Sequence, residues 1–229
     1  MHIADMTMFY APASGGVRTY LDAKHHRLCT RPGIRHSVLI PGAVLSEHDG
    51  IYTVPAPALP FGKGYRFPLR LAPWRNVLQD LQPELIEVGD PYLTAWAALD
   101  ARRQLDVPVI GFYHSDLPLL ASNRMGNWVT PNVEAYVRKL YGNFDRVLAP
   151  SQVMAEKLTG LGVKNVFVQP LGVDLQVADP DFSRVLVTGG IFSKEGLDLI
   201  GRDVVGVIAS TEGRVGVCDA SWRAPVGVN

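Results

Sequence analysis

The run His2-Ile3-Ala4-Asp5-Met6-Thr7-Met8-Phe9-Tyr10-Ala11-Pro12-Ala13-Ser14-Gly15-Gly16-Val17-Arg18-Thr19-Tyr20-Leu21 decides the fold. Residues 3–8 form a short, mostly apolar stretch that reads as a strand, and several of the strand candidates along the chain lack polar residues at every second position, as strands covered on both faces should. Pro12 and the pair Gly15-Gly16 then interrupt this first stretch. Beyond them Val17, Tyr20, Leu21 and Leu28 fall on one stripe of a helix. Strand, glycine turn and helix make one unit, and the same alternation continues along the chain. Further strands are predicted at 37–40, 51–54, 85–88, 107–112, 147–149 and 166–169, each rich in Val, Ile or Leu. Val133, Tyr136, Val137, Leu140 and Tyr141 mark a second helix behind Pro131. Met154, Leu158 and Leu161 mark a third, capped by Ser151 and ended by Gly160 and Gly162. Short apolar strands alternating with helices predict an α/β protein, a parallel sheet with helices on both faces.

Two stretches depart from the pattern. Residues 55–73 hold five prolines and read as a long surface loop, and the Gly/Asn-containing segment 121–128 reads as a linker before the Pro131 helix. After residue 178 glycines crowd among short valine runs. Residues 185–188 read as a strand and 194–200 as a helical turn or two. Strands around 204–208 and 215–217 have no amphipathic helix to cover them. The expected division is one domain over 1–178 and an incomplete second one over 179–229, too small to fold as a unit of its own.

The 229 residues are 47% hydrophobic and carry 22 basic and 22 acidic side chains, a net charge of zero. A protein that neutralises many phosphates needs a basic surplus, so nucleic acid is excluded as a partner. No apolar run reaches the ~18 residues of a membrane span, and Asp5 stands in the opening segment where a secretory leader carries cations. These features predict a cytoplasmic protein with at most peripheral membrane contact. Cys29 and Cys218, with no Cys/His partners at ligand spacing, predict reduced thiols and no metal site.

Three segments at strand ends carry polar chemistry. Gly15, Gly16, Val17 and Arg18 open the first helix, where bare backbone N–H groups, the helix dipole and a guanidinium suit a phosphate. A plain tight turn fits the same residues. The spacing is neither that of a dinucleotide fingerprint, which argues against a nucleotide-dependent oxidoreductase, nor that of a P-loop. His114 ends the strand at 107–112, followed by Ser115 and Asp116. It is either a ligand contact or a loop hydrogen-bonder, and consecutive residues cannot form a hydrolytic triad. Glu87 ends another strand and can accept from hydroxyls, while Asp90 before Pro91 reads as a helix cap. His25-His26 reads as a solvated helix face, and Trp74, Trp96 and Trp128 as core or loop packing.

Taken in order, Ser14-Gly15-Gly16-Val17-Arg18-Thr19-Tyr20-Leu21, Phe112-Tyr113-His114-Ser115-Asp116-Leu117-Pro118, Ala149-Pro150-Ser151 and Pro170-Leu171-Gly172-Val173-Asp174 resemble the amino-terminal half of a retaining, family 4-type glycosyltransferase over residues 3–180. The resemblance implies a Rossmann-like domain of the GT-B fold, in which two such domains face each other across a cleft. It implies Gly15, Gly16, Val17 and Arg18 near the donor diphosphate and His114 as the catalytic contact to the transferred sugar, with Ser115 and Asp116 beside it. A nucleotide sugar and a hydroxyl acceptor, glycan or lipid, are the implied substrates, and no metal or other cofactor is implied.

The chain departs from that family at Gly190-Ile191-Phe192-Ser193-Lys194-Glu195-Gly196. Ile191 stands where the family has an arginine, the lysine after Glu195 is missing, and no Glu is followed by another eight positions on. The expectation is an acceptor-side domain with a shortened start of the nucleotide-sugar domain, not competent for transfer alone. The alternative is a non-catalytic module that binds carbohydrate or a partner, with an open cleft face available to a second subunit or to self-association.

Overall fold

In β1 (His2–Met6) all five side chains are buried, as a strand covered on both faces requires. The computed structural model describes residues 1–11, 16–60 and 64–171, and the backbone of 206–209 and 215–218. After β1 come α1 (Gly16–Cys29), β2 (Arg35–Gly42), β3 (Ser46–His48), β4 (Ile51–Pro55) and α2 (Ala72–Leu81). Then follow β5 (Leu85–Val88), α3 (Leu93–Leu105), β6 (Val109–Phe112), α4 (Leu117–Met125), α5 (Thr130–Tyr141), β7 (Arg146–Ala149), α6 (Gln152–Gly160) and β8 (Val166–Val168). The strands form one sheet in the order β3-β4-β2-β1-β5-β6-β7-β8, parallel throughout except for the antiparallel pair β3–β4. This is the predicted α/β architecture, a Rossmann-like sheet flanked by helices.

Successive side chains alternate between the two faces of the sheet. Ala4 and Met6 of β1, Leu39 of β2 and Ile86 and Val88 of β5 join a large core with Trp74, Leu78, Ala98, Val137, Leu140 and Leu158 of the helices. Val38 and Ile40 face the other way and meet Leu21 of α1 in a much smaller cluster.

Three expectations need correction. Segment 121–128 is not a linker: α4 runs through it and a 3-10 turn, Asn127–Val129, follows. Asp116 caps α4 by accepting from the Leu119 N–H at 3.3 Å, and the Ser122 hydroxyl donates back to the Leu119 carbonyl. Such local bonds outweigh the weak helix propensity of Ser122 and Asn123. The strand β3 was not anticipated; it makes a hairpin with β4 through Asp49-Gly50, both at positive φ, as a two-residue turn requires. The loop 55–73 gives its last two residues to α2, with Pro73 in the first turn, and otherwise folds back on itself through the Ala58–Arg66 bridge. Of the segment 179–229, only β9 (Gly206–Ala209) and β10 (Val215–Cys218), an antiparallel pair, lie within the described residues.

Phe144 lies over the sheet at Gly111, where an added Cβ would stand 2.3 Å from its ring. A Gly111→Ala substitution should therefore cost about 1–3 kcal/mol by overpacking. Chemical denaturation would detect the loss, and an unchanged midpoint would contradict this packing.

Candidate functional site

Strand order reverses at β1, which pairs with β2 on one edge and β5 on the other. The crevice outside the carboxyl ends of such a pair is where open α/β sheets take ligands. Here it is braced by Asp90, which follows β5. Its Oδ2 accepts from the Met8 N–H at 2.7 Å, and its Oδ1 accepts from the Tyr92 N–H at 3.2 Å and the Thr94 hydroxyl. The predicted capping role thus becomes a cross-brace between two loops, and α3 starts at Leu93 rather than at Pro91. Burial pushes the Asp90 carboxyl up, against the donors that favour its charge. The Gly89 N–H donates to the Met6 carbonyl at 3.0 Å and closes the crevice floor.

His114 follows β6 and leans over this floor. Its ring stacks on Phe112, with centroids 4.1 Å apart and planes within 3°, and meets the edge of Tyr20 of α1 at 5.5 Å. It is only 8% exposed, and its Nδ1 is buried with no hydrogen-bond partner among the described residues. Gly89 makes room for it: an added Cβ there would stand 3.3 Å from the imidazole. His114, Gly89, Thr7 and Val17 line one small recess at the crevice. The imidazole and the first turn of α1 are therefore brought together, as ligand contacts at a strand end and a helix start would be.

The other predicted residues divide. Gly15 lies outside the described residues. Gly16 and Val17 form the half-buried first turn of α1. Arg18 is held at the surface, its Nε 3.6 Å from Asp22 Oδ2 and its guanidinium 5.2 Å from the Tyr10 ring. An exposed pair four residues apart is worth only ~0.3–0.5 kcal/mol, so Arg18 is released at little cost. Glu87 is half-buried on the α1 face and ion-paired to Lys24 at 2.8 Å. Ser115 is half-buried beside His114. Asp116 caps α4, accepts from Tyr113 Oη at 3.4 Å and pairs with Lys157 of α6.

Sequence reasoning missed the polar cluster beneath the crevice. Lys24 of α1 pairs with both Asp5 and Glu87, and Asp5 also meets His36 at 3.0 Å. His25 is not on a solvated face as expected. Its Nδ1 lies 2.9 Å from His36 Nδ1 and its Nε2 lies 2.8 Å from the Asp49 carbonyl, so that it ties α1 to β2 and the β3–β4 turn. Trp74 is core and Trp96 donates to Tyr136 Oη at 3.1 Å, but Trp128 is 75% exposed rather than packed. Among the described residues no helix is long and apolar enough to cross a membrane, and no three His, Cys or carboxylate side chains gather as a metal would need.

The fold and crevice define a Rossmann-like domain of the kind that forms the amino-terminal half of GT-B proteins. Sucrose-phosphate synthase of Thermosynechococcus elongatus superimposes with a TM-score of 0.57 at 16% identity, over 77% of this chain and 49% of that one. HepE of Anabaena, solved with UDP and glucose, superimposes with a TM-score of 0.51 at 16% identity, over 77% of this chain and 46% of its own. Residues 14–177 match the model of Glycosyltransferase Family 4, and the chain belongs to that family. It is similar to a GDP-mannose-dependent alpha-mannosyltransferase of Mycobacterium tuberculosis, 30% identical over 156 residues, 67% of this chain and 41% of the relative. A GDP-mannose-dependent alpha-(1-6)-phosphatidylinositol dimannoside mannosyltransferase of that organism is 28% identical over 79% of this chain and 48% of its own length. The chain thus spans less than half of the curated relatives it matches.

Burial, reinforced by the Lys24 cation and opposed by Asp5, pushes His114 down from 6.5 to about 4. Between those values the unfolded chain binds a proton that the folded chain rejects. The contribution of His114 to stability is therefore complete above about pH 6.5 and is lost as the pH falls towards 4, by up to about 3 kcal/mol. Unfolding of the wild type and of His114→Gln at pH 4.5 and pH 7 would show the difference. Equal pH dependence in the two proteins would contradict the burial of a neutral imidazole.

Proposed function

We propose that this chain is the acceptor-side domain of a retaining glycosyltransferase, which transfers a sugar from a nucleotide sugar to a hydroxyl of a glycan or lipid. The observation that carries the reading is the buried His114 Nδ1, without a partner among the described residues and set beside the first turn of α1. A neutral imidazole both donates and accepts, so it can bind a sugar hydroxyl at neutral pH without competing for its proton. In this reading the amides of Gly15, Gly16 and Val17 and the Arg18 guanidinium bind the diphosphate, and Ser115 and Asp116 border the sugar. Glu87 acts from beneath, through Lys24. Neither a metal nor another cofactor takes part. The family membership and the GDP-mannose-dependent relatives support the substrate class.

Diphosphate departure needs stabilisation of the charge that develops on it. One helix end and one arginine provide few of the required charge-assisted contacts, each worth ~1.5–3 kcal/mol. With Ile191 where a cation is wanted, residues 1–229 do not transfer sugar unaided. Sugar release from GDP-mannose and UDP-glucose should stay at the buffer rate with this chain, although either donor binds weakly and His114→Ala lowers that affinity tenfold or more. Clear turnover by the chain alone would overturn the insufficiency, and unchanged affinity in His114→Ala would overturn the role of His114.

One observation favours a second reading, a non-catalytic module for carbohydrate or a partner subunit. Leu119, Leu120, Met125 and Trp128 are all exposed beyond the carboxyl end of β6, and an apolar surface of that kind marks a docking face. In light scattering this reading predicts a concentration-dependent mass. A strict monomer without glycan affinity would exclude it.

A further inference from the structure

Helix α1 lies on the sheet with little apolar burial. Of its 14 residues only Leu21 is fully buried, whereas α3 buries six of 13 and α2 four of ten. Helices in proteins are normally fastened by an apolar face. The sheet-facing stripe of α1 runs Val17, Tyr20, Leu21, Lys24, so a cation occupies the fourth place. Lys24 Nζ lies 3.0 and 2.9 Å from the two Asp5 oxygens and 2.8 Å from Glu87 Oε1. Asp5 and Glu87 are register partners across β1 and β5, and because Ala4, Met6, Ile86 and Val88 belong to the opposite core, both carboxylates point at α1. Two neighbouring carboxylates, Asp5 buried and Glu87 largely so, repel each other. Burial and Asp5 push Glu87 up, and Lys24 works against both.

We infer that Lys24 is a positioning residue: the largely buried Asp5–Lys24–Glu87 triad, more than the small apolar cluster around Leu21, fixes α1 on the sheet and so sets where its first turn and Tyr20 stand against His114. The assignment rests on the reading of that turn and His114 as the donor site. Tyr20 lies one turn before Lys24 and presents its edge to both His114 and Phe112, at 5.5 and 5.8 Å. Gly16 lies two turns before Lys24, about 12 Å along the axis. Sliding or tilting of α1 about the triad therefore moves the anion-binding amides and the ring that flanks His114 together.

The test compares Lys24→Met with the triple variant Asp5→Asn/Lys24→Met/Glu87→Gln in the full chain. Removing only the cation leaves a buried and a largely buried carboxylate uncompensated and should destabilise the whole protein. Neutralising all three members should restore global stability. In the triple variant the assignment predicts that amide-exchange protection across α1 falls at least tenfold while β1 and β5 keep theirs, and that the nuclear Overhauser contact between the Tyr20 and His114 rings weakens. A folded triple variant with α1 protection and the ring contact intact would overturn it. So would a triple variant that fails to fold, since the triad would then support the sheet rather than α1. Neither readout uses a nucleotide, so a failure of the donor-site reading would appear separately, as wild-type protein that binds neither GDP-mannose nor UDP-glucose.

Discussion

A single strand bonded on both edges by parallel neighbours sets the geometry of everything else. Because β1 pairs with β2 and with β5, the chain leaving β1 and the chain leaving β5 depart to different sides of the sheet. One backbone bond, from the Gly89 N–H to the Met6 carbonyl, closes the floor of the gap between them, and side chains from the loops fill the rest. Asp90 ties the two loops at their base, Gly89 leaves space, and His114 enters from the next strand along. A crevice with a rigid floor and a neutral imidazole above it follows from strand order, before any ligand is considered.

The two faces of the sheet are built by different physics. One carries a continuous apolar core under α2, α3, α5 and α6, which holds most of the buried apolar side chains and so the larger hydrophobic contribution. The other carries Asp5, Glu87 and His36 at alternate positions of their strands, facing α1. Burying ions contributes less to stability than burying hydrocarbon, because desolvation offsets most of the attraction. Ions are directional, however, and a lysine held by two carboxylates has one place to stand. The face that lies under the candidate site is the one that trades stability for placement.

The strands were legible as short runs rich in Val, Ile or Leu, and seven such runs correspond to seven of the eight strands in the sheet, although Asp5 and Glu87 interrupt two of them and β4 and β8 are only partly covered. The eighth, Ser46–His48, is exposed and polar, so only its Asp49-Gly50 turn signals it. Helix α4 was hidden by Ser122, Asn123 and Gly126, whose local preference the Asp116 cap overrides. His114 was legible by its place at a strand end. The triad was not. Asp5 looks like a lone acid, and its partners stand 19 and 82 positions further along, so only the sheet register and the turn of α1 bring them together. His25 was misread for the same reason, since its partner His36 belongs to another element.

A nucleotide sugar bound in the crevice beside His114, as proposed, would touch the first turn of α1, Gly89 and the imidazole together. Titration of nitrogen-15-labelled residues 1–229 with GDP-mannose, and separately with UDP-glucose, reads these contacts one by one. Saturable shift changes confined to the amides of Gly16, Val17 and Gly89 and the His114 imidazole are expected. Changes that centre on the opposite, amino-terminal edge of the sheet, around Arg35 and Gln82, or none with either donor, would contradict the proposal.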